Sequence, residues 1–113
     1  MSNEESNESG LVQRLSPKLS GKQRSHLRGL AHALKPIVLV GHKGVTEALI
    51  ENLDAALLAH ELVKVKVHEG DDIEEVATRL AKDSSAQLAQ MIGHVLVYYR
   101  AHPKQPKIEL PKK

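Results

Sequence analysis

Apolar side chains recur at helical spacing in three segments of the chain. After Ser20 they fall at positions i, i+3, i+4 and i+7, which predicts one buried helix face made of Leu27, Leu30, Ala31 and Leu34. Ser20 and Gln23 have the spacing of a capping box, so this helix is expected to begin there. Lys35-Pro36 ends it, because the residue before a proline avoids the helical conformation.

Two further segments have the same periodicity. The second runs to about His60 and has an apolar face of Val45, Leu49, Leu53, Ala56 and Leu57. In the third, Asp71 followed three residues later by Glu74 is expected to cap the first turn. Its apolar face consists of Ile73, Val76, Ala77 and Leu80.

Shorter apolar runs predict strands between and after these helices. Ile37–Val40 is continuously apolar, which is typical of a buried strand. Leu62–His68 alternates valines with the polar residues Lys64, Lys66 and His68. Val95–Tyr99 predicts another strand, whereas residues 84–92 fit a helix as well as a strand. The order of elements predicts a compact α/β sandwich over a small sheet.

The length of 113 residues fits one domain, and the composition bounds its class. The absence of cysteine excludes a disulfide framework and a thiolate zinc site. No apolar run is long enough to span a bilayer and the N-terminus is acidic, so we expect no membrane span, no signal peptide and a cytoplasmic location. We expect a disordered acidic tail over residues 1–15, a folded domain over 16–102, and a basic, extended segment over 103–113 that can pack partly on the domain.

Charge is segregated along the chain, although the net charge is only +2. Residues 1–10 carry −3, residues 14–43 carry +7 without a single acid, residues 47–83 carry −6 and residues 100–113 carry +4. Such segregation predicts a basic face, which is typical of proteins that bind nucleic acid or anionic lipid. Scattered, solvated lysines are the alternative interpretation.

The most distinctive local motif is Gly41-His42-Lys43-Gly44, between a predicted strand and a predicted helix. Its glycines allow positive φ and leave the backbone open to a ligand. The N–H groups at the start of the next helix favour an anion, and Lys43 adds a full charge. A tight strand-to-helix turn without any ligand explains the two glycines equally well.

Basic residues also form a stripe beside the apolar face of the first predicted helix: Arg24, Arg28 and Lys35, with His32 nearby. A stripe of this kind suits a phosphate backbone, although a solvated helix flank is the alternative. Lys64 and Lys66 share the polar face of their strand. They either extend the basic surface or keep that face hydrated.

No catalytic or metal-binding constellation is present in the sequence. The seven histidines lack H-x-x-x-H spacing and no P-loop occurs, so we expect no enzyme, no metal site, no cofactor and no small-molecule substrate. The only aromatic residues, Tyr98 and Tyr99, are adjacent in one strand, so at most one lies on each face. Modules that stack RNA bases need two or three exposed rings, so we expect phosphates and shape to dominate any RNA contact.

Taken in order, these blocks resemble the YhbY type of CRM domain, an RNA-binding family. The resemblance covers about residues 17–110 and rests on Leu19–Arg24, Leu27–His32, Gly41–Gly44 with Thr46-Glu47, His60–Lys66 and Ile92–Arg100. It implies the order helix-strand-helix-strand-helix-strand-strand over a small mixed sheet, similar to the C-terminal domain of translation initiation factor three. Residues 84–92 would then be largely strand.

The resemblance also implies a function and the residues that carry it. Stand-alone bacterial members associate with precursors of the large ribosomal subunit and act in its maturation, whereas plant relatives act in intron splicing. The family's RNA contact carries over to the loop residues Gly41, His42, Lys43 and Gly44 and to the helix residues Lys22, Arg24 and Arg28, which Lys35 joins from the basic stripe. His42 stands where members tend to carry Lys, Arg or Asn.

We therefore expect an RNA-binding protein that associates with large-subunit precursors and assists their assembly, with ribosomal RNA as its partner. The alternative is a protein–protein adaptor that docks on a ribosomal protein or factor through its acidic helices.

Overall fold

The computed structural model of the protein describes residues 10–113. A short helix, α1, covers residues 10–14. The remaining elements follow in the order α2 (Gly21–Ala31), β1 (Val38–Val40), α3 (Glu47–His60), β2 (Leu62–Val67), α4 (Ile73–Ser84), β3 (Gln87–Ile92) and β4 (Val95–Tyr99). From α2 onward this is the expected helix-strand-helix-strand-helix-strand-strand order. The segment that fitted either a helix or a strand forms β3 from Gln87, as the resemblance implied.

The four strands form one mixed sheet in the order β1-β2-β4-β3. β1 pairs with β2 in parallel, and Val38 lies opposite Val65. The other two pairings are antiparallel, and the register shifts between Leu88 and Gln90 of β3. The predicted compact α/β sandwich over a small mixed sheet is therefore confirmed.

Helices pack on both faces of the sheet. One face is covered by α1, α3 and α4, and the predicted valine face of β2 lies at its centre with 1%, 0% and 1% of Val63, Val65 and Val67 exposed. The opposite face, here called the α2 face, carries a smaller cluster in which Leu27 and Ala31 of α2 pack with buried side chains of the sheet: Leu62, Ala89, Val97 and Tyr99.

The first predicted helix and strand form where expected, but several of their side chains are more exposed than predicted. α2 ends at Ala31, before Lys35-Pro36, and Leu30 and Leu34 remain 42% and 39% exposed. The chain has to leave the helix early to reach the sheet edge, where the Lys64 ammonium donates to the Leu34 carbonyl oxygen at 3.0 Å. β1 is an edge strand, so only alternate residues are buried, and Ile37 and Leu39 are exposed.

The capping predictions have mixed outcomes. The capping box is confirmed, because the Gln23 amide N–H donates to Ser20 Oγ and the Ser20 amide N–H donates to Gln23 Oε1. In α4 the cap is Asp72 and not Asp71. Asp72 Oδ1 accepts hydrogen bonds from two first-turn amides, whereas Asp71 stands one residue too early to reach them.

The prediction of a disordered tail over residues 1–15 was wrong for the last part of that range. Residues 1–9 lie outside the described residues, but residues 10–14 are helical, and Leu11 and Val12 are buried in the core under α4 and the sheet. The Leu88 amide donates to the Leu15 carbonyl oxygen at 3.0 Å, which ties this segment to β3. Tertiary contacts therefore order a stretch that shows no periodicity of its own.

Residues 103–113 contain no helix or strand, but they lie against the α2 face. Ile108 and Leu110 pack on the smaller core cluster. Gln23 Nε2 donates to the Pro111 carbonyl oxygen at 2.9 Å, which fixes the end of this segment beside α2. No helix within residues 10–113 is long and apolar enough to cross a bilayer.

Candidate nucleic-acid interface

The motif Gly41–Gly44, here called the GxxG loop, forms a closed turn between β1 and α3. The Gly44 amide donates to the Gly41 carbonyl oxygen at 2.9 Å, and His42 and Lys43 are exposed at the tip. Only Gly44 has a positive φ, +73°, so the expectation that both glycines need this freedom was wrong for Gly41. No heavy atom lies within 4 Å of a Cβ built at either glycine, so a ligand has free access to this backbone.

The start of α3 stands directly behind the GxxG loop. Thr46 is the N-cap, and its Oγ1 accepts a hydrogen bond from the Leu49 amide at 3.1 Å. The positive end of the helix dipole therefore faces the loop side of the helix, where it favours an anion. Glu47, the first residue of α3, is exposed and opposes that effect with its own charge.

The basic residues assigned to the first helix lie in three different settings. Lys22 and Arg28 are exposed on α2. Arg24 folds back on the start of the helix, where its Nη1 donates to the Leu19 carbonyl oxygen at 2.8 Å and to Ser16 Oγ at 3.4 Å. Lys35 lies beyond the end of α2, in the connection to β1, so it is not part of a helical stripe. Arg24 is therefore partly committed to holding the chain before α2.

Lys64 and Lys66, whose role the sequence left open, lie on the α2 face of the sheet. Lys66 stands between Leu39 of β1 and Val95 of β4, and Val95 in turn pairs with Ile92 of β3. This row lies beyond the part of the sheet that α2 covers, so Leu39 and Ile92 are exposed at 66% and 57%. Lys66 is exposed as well.

Strand β1 separates the two predicted groups of RNA-binding residues. Its N-terminal end follows the α2 connection at Lys35, and its C-terminal end leads into the GxxG loop. Four residues of extended chain from Ile37 to Gly41 span about 13 Å. The structure therefore does not bring the loop and α2 into one cluster. It places the two lysines of β2 on the sheet between them.

Both tyrosines are buried, one on each side of the sheet. Tyr98 donates its hydroxyl proton to the Ala77 carbonyl oxygen at 2.7 Å, and burial raises the pKa of this phenol far above its ordinary value. Burial and the negative charge of Glu61 raise the pKa of Tyr99. Neither ring is available to stack on a nucleic-acid base.

Glu61, which no sequence pattern singled out, is buried and has a φ of +64°. Its carboxylate accepts hydrogen bonds from three backbone amides of the C-terminal segment, those of His102, Lys107 and Ile108, at 2.7 to 2.9 Å. Burial raises the pKa of this carboxyl, but the three amides and the nearby His102 side chain lower it, and the net pKa lies below its ordinary value. Only its place at the end of an amphipathic helix could have drawn attention to it.

Within residues 10–113 no three histidine or acidic side chains converge in a way that could hold a metal ion. The exposed chemistry on the α2 face and the GxxG loop is therefore that of cations, backbone amides and aliphatic side chains. These groups bind anions and apolar surfaces.

Comparisons with known proteins agree on the family of the chain. The CRS1/YhbY (CRM) domain matches residues 19–100. An RNA-binding protein of Haemophilus influenzae is 41% identical over 84% of this chain and 97% of its own length. YqeI of Bacillus subtilis, named as a probable RNA-binding protein, is 43% identical over 82% of this chain and 99% of its own length.

A solved structure has the same fold. The solution structure of the hypothetical protein SAV1595 from Staphylococcus aureus superposes with a TM-score of 0.71 at 38% sequence identity, over 82% of this chain and 99% of that one. The family match covers the chain from α2 to the end of β4. The chain therefore belongs to the CRS1/YhbY (CRM) domain family.

Proposed function

We propose that this protein binds RNA through its phosphate backbone, using the GxxG loop together with the basic residues of α2 and β2. One observation carries the proposal: the exposed cations Arg28 and Lys66 and the half-buried Lys64 follow the α2 face toward the exposed loop residue Lys43. No acidic residue occurs in α2, and none lines the cavity between α2 and the sheet. A surface that is basic from α2 across β2 and ends at an open glycine loop suits a chain of phosphates.

The names of relatives support the same proposal. The proteins of Haemophilus influenzae and Bacillus subtilis are described as RNA-binding or probable RNA-binding, and both align over nearly their whole length. We further propose that the RNA is ribosomal RNA in precursors of the large subunit, and that the protein assists assembly of that subunit. This finer assignment rests on the resemblance of the sequence blocks to stand-alone bacterial members of the family.

The mechanism is electrostatic and transient. In it, Lys43 and the open backbone of the GxxG loop receive one phosphate, while Arg28, Lys64 and Lys66 bind phosphates along the same strand. Lys22 and Lys35 lie at the two ends of α2 and extend the contact. If four to six phosphates are neutralised, the logarithm of the association constant should fall with the logarithm of salt concentration with a slope of roughly −3 to −5.

The test is a salt titration of binding to a ribosomal RNA fragment, with purified protein and no other component. Lys43→Ala should weaken binding and reduce the slope by about one, since each phosphate contact contributes slightly less than one. Lys82→Ala is the matched control, because Lys82 is an exposed lysine in the last turn of α4, on the other side of the sheet. A slope near zero, or equal effects of the two variants, would overturn the proposed mechanism.

The ribosomal assignment has its own test. Cell extracts are sedimented through sucrose gradients at low and high salt, and each fraction is probed for the protein. Enrichment with large-subunit precursors that salt removes, and that Lys43→Ala weakens, is the expected result. Association that resists salt and survives Lys43→Ala would contradict it and favour the adaptor, which contacts protein through the acidic helices α3 and α4.

A further inference from the structure

α2 covers only one end of its sheet face and leaves an open region between its C-terminal half and the GxxG loop. In this region the side chains across the sheet form two rows. One row runs from Leu39 through Lys66 and Val95 to Ile92, and the other contains Lys64, Val97 and Gln90. Leu39 and Ile92 expose aliphatic surface at the two ends of the first row, on either side of Lys66 and Val95.

A cavity of about 190 Å³ lies where this open region meets α2. Arg28 of α2 and His32, the C-cap residue that follows α2, line the cavity with Lys64 of β2, and Gln90 of β3 lies on the other side. The floor is aliphatic and consists of Ile92, Val95 and Val97. The lining therefore combines an apolar floor, one neutral amide and three groups that donate hydrogen bonds or carry positive charge, with no carboxylate.

The size of the cavity restricts its occupant. Pockets for drug-sized ligands measure about 300–1,000 Å³, and each molecule of liquid water occupies about 30 Å³. A cavity of about 190 Å³ therefore takes one planar ring system and not a helix or a run of several side chains. A nucleobase has this shape, with two apolar faces and a hydrogen-bonding edge.

The position of the cavity favours a base of the same RNA over a peptide. The cations that line it, Arg28 and Lys64, are two of those proposed to bind phosphates, and the GxxG loop lies at the far end of the same open region. An RNA strand that contacts both has its sugars and bases over the row of Val95 and Ile92. A base that is unpaired can turn into the cavity, whereas a base held in a duplex cannot.

We propose that this cavity is a subsite for one unpaired nucleobase of the bound RNA. The base lies on the aliphatic floor, the Gln90 amide faces its hydrogen-bonding edge, and Arg28 and Lys64 bind the flanking phosphates. The inference rests on the proposed function and specifies it further. It selects RNA with a bulged or single-stranded nucleotide over a continuous duplex.

Two RNA hairpins test this inference. They are identical except that one carries a single unpaired 2-aminopurine in its stem, whereas the other carries the same fluorescent base paired with uridine. Wild-type protein should bind the bulged hairpin about fivefold more tightly, which corresponds to about 1 kcal/mol and to the burial of about 40 Å² of apolar surface. The emission of the unpaired base should rise on binding, because it leaves its stacked neighbours for an aliphatic surface.

Ile92→Ala shortens the floor at an exposed position, so folding should be unaffected. It should reduce the preference for the bulged hairpin over the paired hairpin about threefold and leave the salt slope unchanged, since Ile92 carries no charge. Leu58→Ala is the matched control, since Leu58 is 50% exposed on α3. Gln90→Leu removes the amide at similar size and should equalise the affinities for hairpins that carry A, C, G or U at the bulge.

The outcomes separate this inference from the function on which it rests. Equal affinity for the two hairpins with the expected salt slope overturns the base subsite and leaves backbone binding intact. Failure of both hairpins to bind overturns the proposed function and the subsite together. Displacement of the unpaired base by an acidic, leucine-containing peptide, without loss of the paired hairpin, would identify the cavity as a protein-binding site and overturn the inference.

Discussion

Glu61→Gln is expected to destabilise the protein at neutral pH and to remove part of its sensitivity to acid. Glutamine keeps the length of the side chain and the positive φ of the backbone, so neither a cavity nor backbone strain enters the comparison. The change acts only on the carboxylate that holds the C-terminal segment. In the wild type one oxygen of this carboxylate accepts from the amides of Lys107 and Ile108, and the other accepts from the amide of His102.

The expected magnitude follows from these three hydrogen bonds. A glutamine oxygen can replace Oε1, so the bonds from Lys107 and Ile108 persist but lose the contribution of the charge, which is about 1 kcal/mol each. The glutamine NH₂ group then faces the His102 amide, another donor, and that bond is lost. Leaving a partly buried donor without an acceptor costs about 1–2 kcal/mol. The total loss is therefore about 3–4 kcal/mol at pH 7.

The pH dependence has a definite sign. Because the pKa of Glu61 is lower in the folded protein, its carboxylate stabilises the fold fully above the unfolded pKa of about 4.3. This contribution is lost as the pH falls through the lower, folded pKa. The difference in the free energy of unfolding between wild type and Glu61→Gln should therefore be constant between about pH 7 and 5 and should shrink below about pH 4.

Urea denaturation followed by circular dichroism at pH 7, 5 and 3.5 measures this difference. Glu69→Gln is the matched control, because Glu69 lies exposed in a turn. Hydrogen exchange of the Lys107 and Ile108 amides should increase in Glu61→Gln alone. A difference below about 0.5 kcal/mol at pH 7, or one that does not change with pH, would refute the assignment of Glu61 as the residue that holds the C-terminal segment.

Three further predictions concern the loop, a helix cap and a core tyrosine. Gly44→Ala should lower the free energy of unfolding by about 1 kcal/mol, because Gly44 has a positive φ that alanine disfavours. Gly41→Ala should have little effect in the same denaturation assay, since Gly41 lacks a positive φ and the space around the added methyl group is equally open. Asp72→Ala should cost about 1 kcal/mol through loss of the α4 cap, whereas Asp71→Ala should not destabilise the protein, since the first-turn amides of α4 donate to Asp72 and not to Asp71. In an ultraviolet titration at alkaline pH, Tyr98 should remain protonated until the protein unfolds. The free energy of unfolding should fall as the pH rises above the unfolded phenol pKa of about 10, because burial raises the pKa of Tyr98 in the folded protein. Ionisation of both tyrosines in the folded protein would contradict the burial of Tyr98.

Local patterns in the sequence were sufficient for most elements of the fold. The alternation of β2 predicted which of its residues are buried, because a strand places successive side chains on opposite faces. The capping box at Ser20 depends only on residues three positions apart, so the start of α2 was predictable. The GxxG loop was predictable as a strand-to-helix turn for the same reason, although the structure assigns positive φ to Gly44 alone.

The sequence pattern was insufficient where burial depends on distant neighbours. Apolar periodicity predicted that Leu30 and Leu34 are buried. They lie where the chain leaves α2 for the edge of the sheet, and both remain exposed. The helix α1 was assigned to a disordered tail, since Leu11 and Val12 are buried only by packing into a core cluster built from residues far along the chain. Arg100 was counted as part of a basic segment, yet its guanidinium pairs with the Asp54 carboxylate and donates to the Ser84 carbonyl oxygen at 2.8 Å.

The candidate interface likewise combines features that local sequence patterns predicted with features that depend on distant residues. The sequence by itself determined the order of the elements, the family to which they belong and the residue types of the loop and of α2, because these depend on spacing along the chain. Only the tertiary structure decided that Lys64 and Lys66 lie between those two groups, that Arg24 is turned toward its own backbone and that an open cavity lies beside α2. Strand order and helix placement join residues far apart in sequence, so no local pattern encodes which of them meet.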